Sequence, residues 1–215
     1  MYDTILFDLD GTLVDSGVGI TNSVAYSLEK YGIEIPDRTE LYKFIGPPLH
    51  ESYQKYYGFS ESGAKEAVEV YREYYRSKGI YENQVYEGIE DLLKRLFAAG
   101  KMLLVATSKP EVFAKQILEH LKLFDYFSGI YGANLDGSRT KKEDVISYAL
   151  SAKGVTDYKS VVMVGDREHD IYGAKKVGIA GIGVLFGYGD YEELQRAKAD
   201  RIAKNAEEIF SFIMY

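Results

Sequence analysis

Two carboxylates stand two residues apart near the start of the chain, in the segment Asp8-Leu9-Asp10-Gly11-Thr12. The preceding residues, Thr4 to Leu9, are mostly apolar and predict a strand that ends at these carboxylates. Because residues two apart on a strand point to one face, both carboxylates can reach the same place. Such a pair suits Mg²⁺, which prefers oxygen ligands, and can divide nucleophilic and acid–base roles. Taken alone, the segment fits an ordinary Asp-Gly turn equally well.

A pair of hydroxyl residues follows a second apolar run. Lys101 to Ala106 predicts a strand, and it ends in Thr107-Ser108-Lys109-Pro110, which leads into a predicted helix. Hydroxyls and free amides at the start of a helix suit an anionic phosphate. The simpler alternative is helix capping, which is the commoner reason for Ser or Thr at such a position.

Two further segments place charged residues near the start of a predicted helix or the end of a predicted strand. Lys141-Lys142 precedes a predicted helix, where cations oppose the helix dipole and therefore do not serve helix stability; an exposed lysine pair is the simpler reading. Val161 to Val164 predicts a buried strand that leads into Asp166, with Asp170 four residues further on. These two acids can complete a cation site, although acidic residues also cap helices.

The elements that must position these groups alternate along the chain. Short apolar runs separated by helical patterns predict a parallel sheet covered by helices, which is an α/β fold. The remaining strands are predicted at Tyr126 to Tyr131 and Ile179 to Phe186, and the helices at Glu87 to Ala99, Pro110 to Leu121, Lys142 to Lys153, Ile171 to Val177 and Ala206 to Met214. Open parallel sheets bind ligands beyond the carboxyl ends of their strands, where the polar segments are expected to meet.

One long interval breaks this alternation. The residues between the first strand and Lys101 contain no predicted strand, and a single crossover does not need so much chain. They contain helical patterns at Ser16 to Tyr31, Arg38 to Phe44, Leu49 to Tyr57 and Ser62 to Lys78. We therefore predict a core domain of residues 1–15 and 84–215 and an inserted helical domain of residues 16–83.

Composition narrows the class of protein. The chain has 215 residues, 46% of them hydrophobic, which is enough to bury a sizeable core. It has no cysteine, which excludes disulfides, zinc–thiolate sites and cysteine nucleophiles. Its net charge of −7 makes a nucleic-acid polymer an unfavourable partner. Neither a signal peptide nor a run long enough to cross a membrane is evident, so we expect a cytoplasmic protein that does not bind membranes. The sequence does not distinguish a monomer from a homodimer.

The chain carries four motifs in order: DLDGT, a strand ending in Thr, a Lys before a helix, and GDxxxD. Together they resemble the four-motif pattern of phosphatases of the haloacid dehalogenase (HAD) superfamily. The resemblance covers essentially the whole chain and implies a Rossmann-like core with strand order 5-4-1-2-3. The insertion resembles a helical cap of the C1 type, and Gly46-Pro47-Pro48-Leu49 is similar to the cap loop of phosphoglycolate phosphatase-like members. The implied activity is Mg²⁺-dependent hydrolysis of a small phosphorylated metabolite such as phosphoglycolate, a nucleoside monophosphate or a sugar phosphate.

The resemblance also implies roles for individual residues. Asp8 would attack phosphorus and form an aspartyl-phosphate, and Asp10 would act as the acid and then as the base. Mg²⁺ would be held by Asp8, the backbone carbonyl of Asp10, and Asp166. Asp170 would support these ligands without binding the ion directly, or would contact it through a water molecule. The phosphate would be bound by Gly11, Thr107, Ser108 and Lys142, with Lys141 as the alternate for Lys142. Contacts from the cap to the substrate are expected from Gly46, Pro47 and His50.

Other functions remain open on these residues. A sugar-phosphate mutase resembling β-phosphoglucomutase would share Asp8, Asp10 and the metal site, but such mutases carry DLDGV and Glu-Asp where this chain has Thr12 and Gly165-Asp166. A haloacid dehalogenase needs neither magnesium nor Asp10. A non-catalytic binding protein on the same scaffold is the alternative from another class, because a fold does not guarantee activity.

Overall fold

The computed structural model describes residues 1–136 and 138–215. They form two compact units, one of Met1–Asp15 with Val85–Tyr215 and one of Ser16–Gln84. The sequence-based division into a core domain and an inserted helical domain stays a prediction.

A six-stranded parallel sheet forms the centre of the first unit. The strands of the described residues are β1 (Thr4–Phe7), β2 (Val14–Asp15), β3 (Gln84–Val85), β4 (Met102–Pro110), β5 (Gly129–Ala133), β6 (Val161–Gly165), β7 (Ala180–Val184) and β8 (Arg201–Ala203). The order in the sheet is β5-β4-β1-β6-β7-β8, and β2 and β3 lie outside it. The predicted α/β fold is confirmed. Counted in chain order, the five core strands are β1, β4, β5, β6 and β7, and they lie in the predicted order 5-4-1-2-3. Strand β8 adds a sixth strand next to β7.

The central strands explain why polar residues gather at one edge of the sheet. All four residues of β1 are buried, as are all five of β6, which fits their nearly continuous apolar sequences. Phe7, the last residue of β1, pairs with Val105 of β4 on one side and Val164 of β6 on the other. Because the three strands are parallel and in this register, the residues that follow each of them emerge side by side.

The helices have the bounds α1 (Gly17–Lys30), α2 (Leu49–Tyr57), α3 (Glu61–Ser77), α4 (Ile89–Ala98), α5 (Glu111–His120), α6 (Lys142–Ala152), α7 (Glu168–Val177), α8 (Tyr191–Arg196) and α9 (Ala206–Met214). Shorter 3₁₀ helices lie at Arg38–Phe44, Gly79–Tyr81, Phe124–Tyr126 and Tyr158–Ser160. Within the described ranges, no helix is both long and apolar enough to span a bilayer.

The two-residue strands β2 and β3 lie in the interval for which the sequence predicts no strand, and β4 extends four residues beyond its predicted end at Ala106. Two further elements begin three residues away from their predicted starts. The strand predicted from Tyr126 begins at Gly129, because the amide of Phe127 donates to the carbonyl of Phe124 at 3.1 Å and closes a 3₁₀ turn there. Helix α7 begins at Glu168, three residues before its predicted start, because the Asp170 carboxylate accepts from the Arg167 amide at 3.1 Å and caps the first turn. Asp170 is therefore fixed by the helix that carries it.

The helical unit, considered by itself, has an aromatic core. Tyr71 and Tyr75 of α3 are buried, and their rings stack at a centroid distance of 5.2 Å. Tyr53 of α2 is buried and contacts the ring of Phe44 at a centroid distance of 5.1 Å. These three buried tyrosines thus form part of the unit's own core.

Candidate active site

Asp8 follows β1 directly and is buried at the edge of the sheet, with 4% of its surface exposed. Its amide donates to the carbonyl of Val164 at 2.9 Å, which continues the pairing of β1 with β6 by one residue. Its Oδ1 accepts from the amide of Leu9 at 2.8 Å and lies 2.9 Å from Nζ of Lys142. The carboxylate is therefore held by contacts on Oδ1.

Three buried carboxylates meet at this edge. One oxygen from each of Asp8, Asp166 and Asp170 lies within 4.8 Å of the others. Nζ of Lys142 is 2.8 Å from Oδ1 of Asp170 as well, so this buried ammonium contacts two of the three acids. With all groups ionised, three carboxylates and one ammonium leave a formal charge of −2 in a buried place. A divalent cation would balance that charge, and carboxylate oxygens are its preferred ligands, so this set of residues fits such an ion.

Burial and mutual repulsion shift the protonation of these acids. Burial, opposed in part by Lys142, raises the pKa of Asp8 to about 6. Burial, followed by the charges of Asp170 and Asp8, raises the pKa of Asp166 well above its ordinary value. Burial lowers the pKa of Lys142, but the Asp170 and Asp8 carboxylates outweigh it, so this pKa is raised and the ammonium stays charged. The raised pKa values of Asp8 and Asp166 thus show that the buried site disfavours ionisation of these two carboxylates.

The turn after β1 is shaped around Asp166. Gly11 has φ of +82°, and a Cβ atom at this position would collide with the Asp166 carboxylate. Oγ1 of Thr12, a fully buried residue, lies 3.4 Å from Oδ1 of Asp166. Gly11, which the sequence comparison with the HAD pattern presents as a phosphate-binding residue, thus also provides the space that Asp166 occupies.

The end of β4 contributes hydroxyls and a cation. Thr107 is buried, and its Oγ1 accepts from the amide of Lys109 at 3.2 Å, while Ser108 is half-buried beside it. The Ala106 carbonyl accepts from Lys142 Nζ at 3.2 Å, which connects this strand end to the group of acids. Thr107 and Lys142 therefore lie at the same edge of the sheet as Asp8.

Lys109 is a charged residue of this site to which the sequence analysis gives no role. Its Nζ lies 2.7 Å from both carboxylate oxygens of Asp10, and both side chains are nearly buried. The Asp10 carboxylate is not a member of the cluster formed by the other three acids. Its position directly after the Thr-Ser pair places it at this edge of the sheet, but its contact with Asp10 is not evident from the sequence.

The two adjacent lysines have different surroundings. Lys142, the first residue of α6, is 5% exposed and contacts Asp8 and Asp170, whereas Lys141 is exposed and forms the cap of that helix through its carbonyl. Packing explains the difference, because a Cβ at Gly173 of α7 would collide with the Lys142 stem. The lack of a side chain at Gly173 thus leaves the space that the Lys142 side chain occupies on its way to Asp8 and Asp170.

The expected cap residues belong to the helical unit. Gly46 has φ of +101° in the loop before α2, and Pro47 follows it there. His50 lies in the first turn of α2 with 39% of its side chain exposed, and its Nε2 is 3.9 Å from a carboxylate oxygen of Glu51. Contact between these residues and a substrate stays a prediction.

Comparison with known proteins supplies the family context. Residues 5–184 match the family model described as haloacid dehalogenase-like hydrolase. A 5′-nucleotidase of Pseudomonas aeruginosa is 48% identical over 194 residues, which cover 90% of this chain and 87% of the relative. The tyrosine-protein kinase PtkA of Mycobacterium tuberculosis is 42% identical over 185 residues, which cover 86% of this chain and 62% of the relative. The crystal structure of a predicted phosphatase from Clostridium acetobutylicum superposes with a TM-score of 0.97 and 50% identity, covering 100% of this chain and 99% of that one.

Proposed function

The chain belongs to the haloacid dehalogenase-like hydrolase family as a phosphatase, and from this premise we propose that it hydrolyses a small phosphomonoester with Mg²⁺ through an aspartyl-phosphate on Asp8. One observation carries the proposal. Three buried carboxylates and a buried lysine meet at the carboxyl edge of the sheet with a formal charge of −2. A buried excess of negative charge is costly to folding, and a metal-dependent reaction explains its presence.

In the first step, an Asp8 carboxylate oxygen attacks phosphorus, a P–O bond to Asp8 forms and the ester P–O bond breaks. Asp10 gives its proton to the departing alcohol oxygen. In the second step, Asp10 takes a proton from water, the water oxygen attacks phosphorus, and the bond to Asp8 breaks to release inorganic phosphate. The proton count balances, because Asp10 ends the cycle protonated as it began.

The contact between Lys109 and Asp10 must change before this proton transfer can occur. In the ligand-free protein, Nζ of Lys109 contacts both oxygens of Asp10 and holds that side chain in place. Before the first step, Asp10 must leave this pair on at least one oxygen and carry there a proton taken from solvent or from the substrate monoanion, which it then gives to the leaving group. Substrate binding that draws Lys109 toward an oxygen of the substrate would supply that release.

The transferred phosphoryl group is proposed to contact Lys142 and the end of β4. Lys142 is fixed between Asp8 and Asp170, next to the position of attack. Within the last residues of β4, beside Lys142, the Thr107 hydroxyl and the Ser108 amide can donate to phosphoryl oxygens. Gly11 is the third proposed contact, through its backbone.

The bound cation is proposed to be Mg²⁺. It would be held by Asp8, the backbone carbonyl of Asp10, and Asp166, with Asp170 placed close enough to contribute or to support them. When bound, it would neutralise the charge between the carboxylates and the phosphate dianion. Asp170 also pairs with Lys142, so it has a second role in orienting that ammonium.

Among phosphomonoesters we place a nucleoside 5′-monophosphate first. The support is the similarity to the P. aeruginosa 5′-nucleotidase, which extends over most of both chains. Phosphoglycolate and a sugar phosphate follow. The helical unit is proposed to serve as a cap, with the loop at Gly46 and Pro47 and the side chain of His50 contacting the leaving group.

Transfer of a phosphoryl group to a protein tyrosine is a second candidate. It is favoured by the similarity to PtkA, whose length this chain spans by 62%. In both candidates a P–O bond of a phosphorylated small molecule would break and its remainder would leave. The phosphoryl acceptor would be water in the first candidate and a tyrosine hydroxyl in the second.

Phosphate release from a panel of phosphomonoesters tests the proposal. Nucleoside 5′-monophosphates, their 3′ isomers as matched controls, phosphoglycolate and sugar phosphates are each incubated with Mg²⁺ or with EDTA. We expect turnover with Mg²⁺, none with EDTA, and preference for the 5′ isomers. Turnover undiminished by EDTA would contradict the metal requirement. Absence of release from every ester would favour a mutase, the tyrosine kinase or a binding role.

A further inference from the structure

The loop after β7, residues 185–190, lies against Asp166. The amide of Tyr188 donates to Oδ2 of Asp166 at 2.8 Å. On either side of it, a Cβ atom at Gly187 would collide with the Asp166 side chain, and one at Gly189 would collide with the Asp166 carbonyl oxygen. The loop therefore approaches Asp166 by its backbone, and only the tyrosine between the two glycines carries a side chain there.

The side chain of that tyrosine reaches away from Asp166 to a different anchor. The Tyr188 hydroxyl donates to Oδ1 of Asp15, which lies in β2 shortly after the Asp8 segment. Phe186, near the start of the loop, has a separate contact: its ring centroid lies 5.1 Å from that of Tyr86, whose amide donates to the carbonyl of Leu13 at 3.2 Å.

The far end of the loop has its own attachment. Glu193 of α8 accepts at Oε1 from the Arg167 side chain and from the Glu168 amide, both at 2.8 Å. Loss of the Tyr188 hydroxyl would consequently free the middle of the loop, where the amide meets Asp166, without detaching the segment from the protein.

We propose that Tyr188 is a positioning residue for Asp166. Its amide orients the carboxylate, and its hydroxyl, held by Asp15, keeps that amide in place. The inference rests on the proposed function, because it gives Asp166 a role in holding the cation. Hydrogen bonds to metal-ligating carboxylates orient them, and their loss commonly weakens metal affinity by about 10-fold or more.

Tyr188→Phe tests the inference, because it removes the hydroxyl and keeps the ring and the amide. Binding of Mn²⁺ alone is measured by electron paramagnetic resonance without substrate, and the Mg²⁺ concentration that gives half-maximal turnover is measured separately. We expect about 10-fold weaker Mn²⁺ binding and a corresponding rise in the Mg²⁺ requirement, with kcat at saturating Mg²⁺ within about twofold of wild type. Tyr191→Phe, at an exposed tyrosine three residues further on, is the matched control and should bind as wild type does.

Variants at the other end of the contact supply an independent check. Asp15→Ala is expected to weaken Mn²⁺ binding as much as Tyr188→Phe, and the double variant no more than either one. Asp15→Asn, which keeps an acceptor oxygen, should recover most of the affinity lost in Asp15→Ala. A purely structural role would instead lower the melting temperature of every variant and leave the Mn²⁺ affinity of the folded protein unchanged.

Two failures are distinguishable. Mn²⁺ affinity of Tyr188→Phe equal to that of wild type, while Asp166→Asn loses binding, would overturn this inference and leave the proposed function standing. Wild-type protein that binds no Mn²⁺ would overturn the proposed metal site and this inference together.

Discussion

At the scale of single residues, Asp8 is subject to two opposing influences. Burial disfavours its ionised form, while the Lys142 ammonium at 2.9 Å favours it. Burial has the larger effect, so the pKa is raised to about 6. A nucleophile must be ionised to attack, and a bound divalent cation would favour ionisation in the same way as Lys142 does. Lys142 and a bound cation would thus act together to favour the ionised, nucleophilic form of Asp8.

This raised pKa predicts how the metal-free protein responds to pH. A carboxyl whose pKa is higher in the folded state stabilises the fold below its unfolded pKa, and that contribution is lost as pH rises through the folded value of about 6. Relative to Asp8→Asn, which cannot ionise, the wild type should lose about 2 kcal/mol of unfolding free energy between about pH 4 and pH 7. Urea unfolding of both proteins in EDTA measures this difference. A constant difference across the range would contradict the assigned burial effect.

The adjacent lysines give a second test at this scale. Lys142→Ala removes the ammonium between Asp8 and Asp170, so kcat/KM should fall by about 100-fold or more. Lys141→Ala, at the exposed neighbouring position, should stay within about twofold of wild type. Steady-state kinetics with saturating Mg²⁺ measures both. Equal losses in the two variants would contradict the separate surroundings that the structure gives them.

At the scale of elements, the turn after β1 must leave room for Asp166. Gly11→Ala places a methyl group against that carboxylate at φ of +82°, so both metal binding and stability should suffer. Gly100→Ala is the matched control, because Gly100 has φ of +74° and nothing within 4 Å of the added atom. We expect Gly100→Ala to cost about 1 kcal/mol of unfolding free energy and to keep activity, and Gly11→Ala to lose at least about 10-fold in activity. Similar activity in both variants would refute the steric argument.

The elements also show what the sequence can predict. The alternation of apolar strands with helices identifies the α/β fold, because buried parallel strands read as continuous apolar runs such as Val161 to Val164. The three-residue strand β8 and the six-residue helix α8 are missed, because such short elements have too few residues to show a period. The Lys109–Asp10 pair is missed for a different reason: it joins residues 99 positions apart, and spacing along the chain does not reveal which side chains meet.

At the scale of the whole molecule, the buried charge of the site links metal binding to stability. An ion that binds only the folded protein stabilises it by about 2.7 kcal/mol at 100 times its Kd. For a chain of 215 residues this corresponds to a rise of roughly 5 to 10 °C in Tm. Thermal unfolding with Mg²⁺ and with EDTA measures the rise. Asp166→Asn should abolish it, and a Tm independent of Mg²⁺ in the wild type would contradict the cation site.

The most direct test of the account is phosphate release by Asp8→Asn. This substitution keeps the shape of the side chain but removes the nucleophilic charge, so kcat should fall by at least about 1,000-fold at saturating Mg²⁺. Asp125→Asn, at an exposed aspartate outside the site, is the matched control and should keep wild-type turnover. Acid quenching of the wild type during turnover should trap a phosphoryl group on Asp8, detected by mass spectrometry of its peptide. Wild-type turnover by Asp8→Asn would contradict the proposal that Asp8 is the nucleophile.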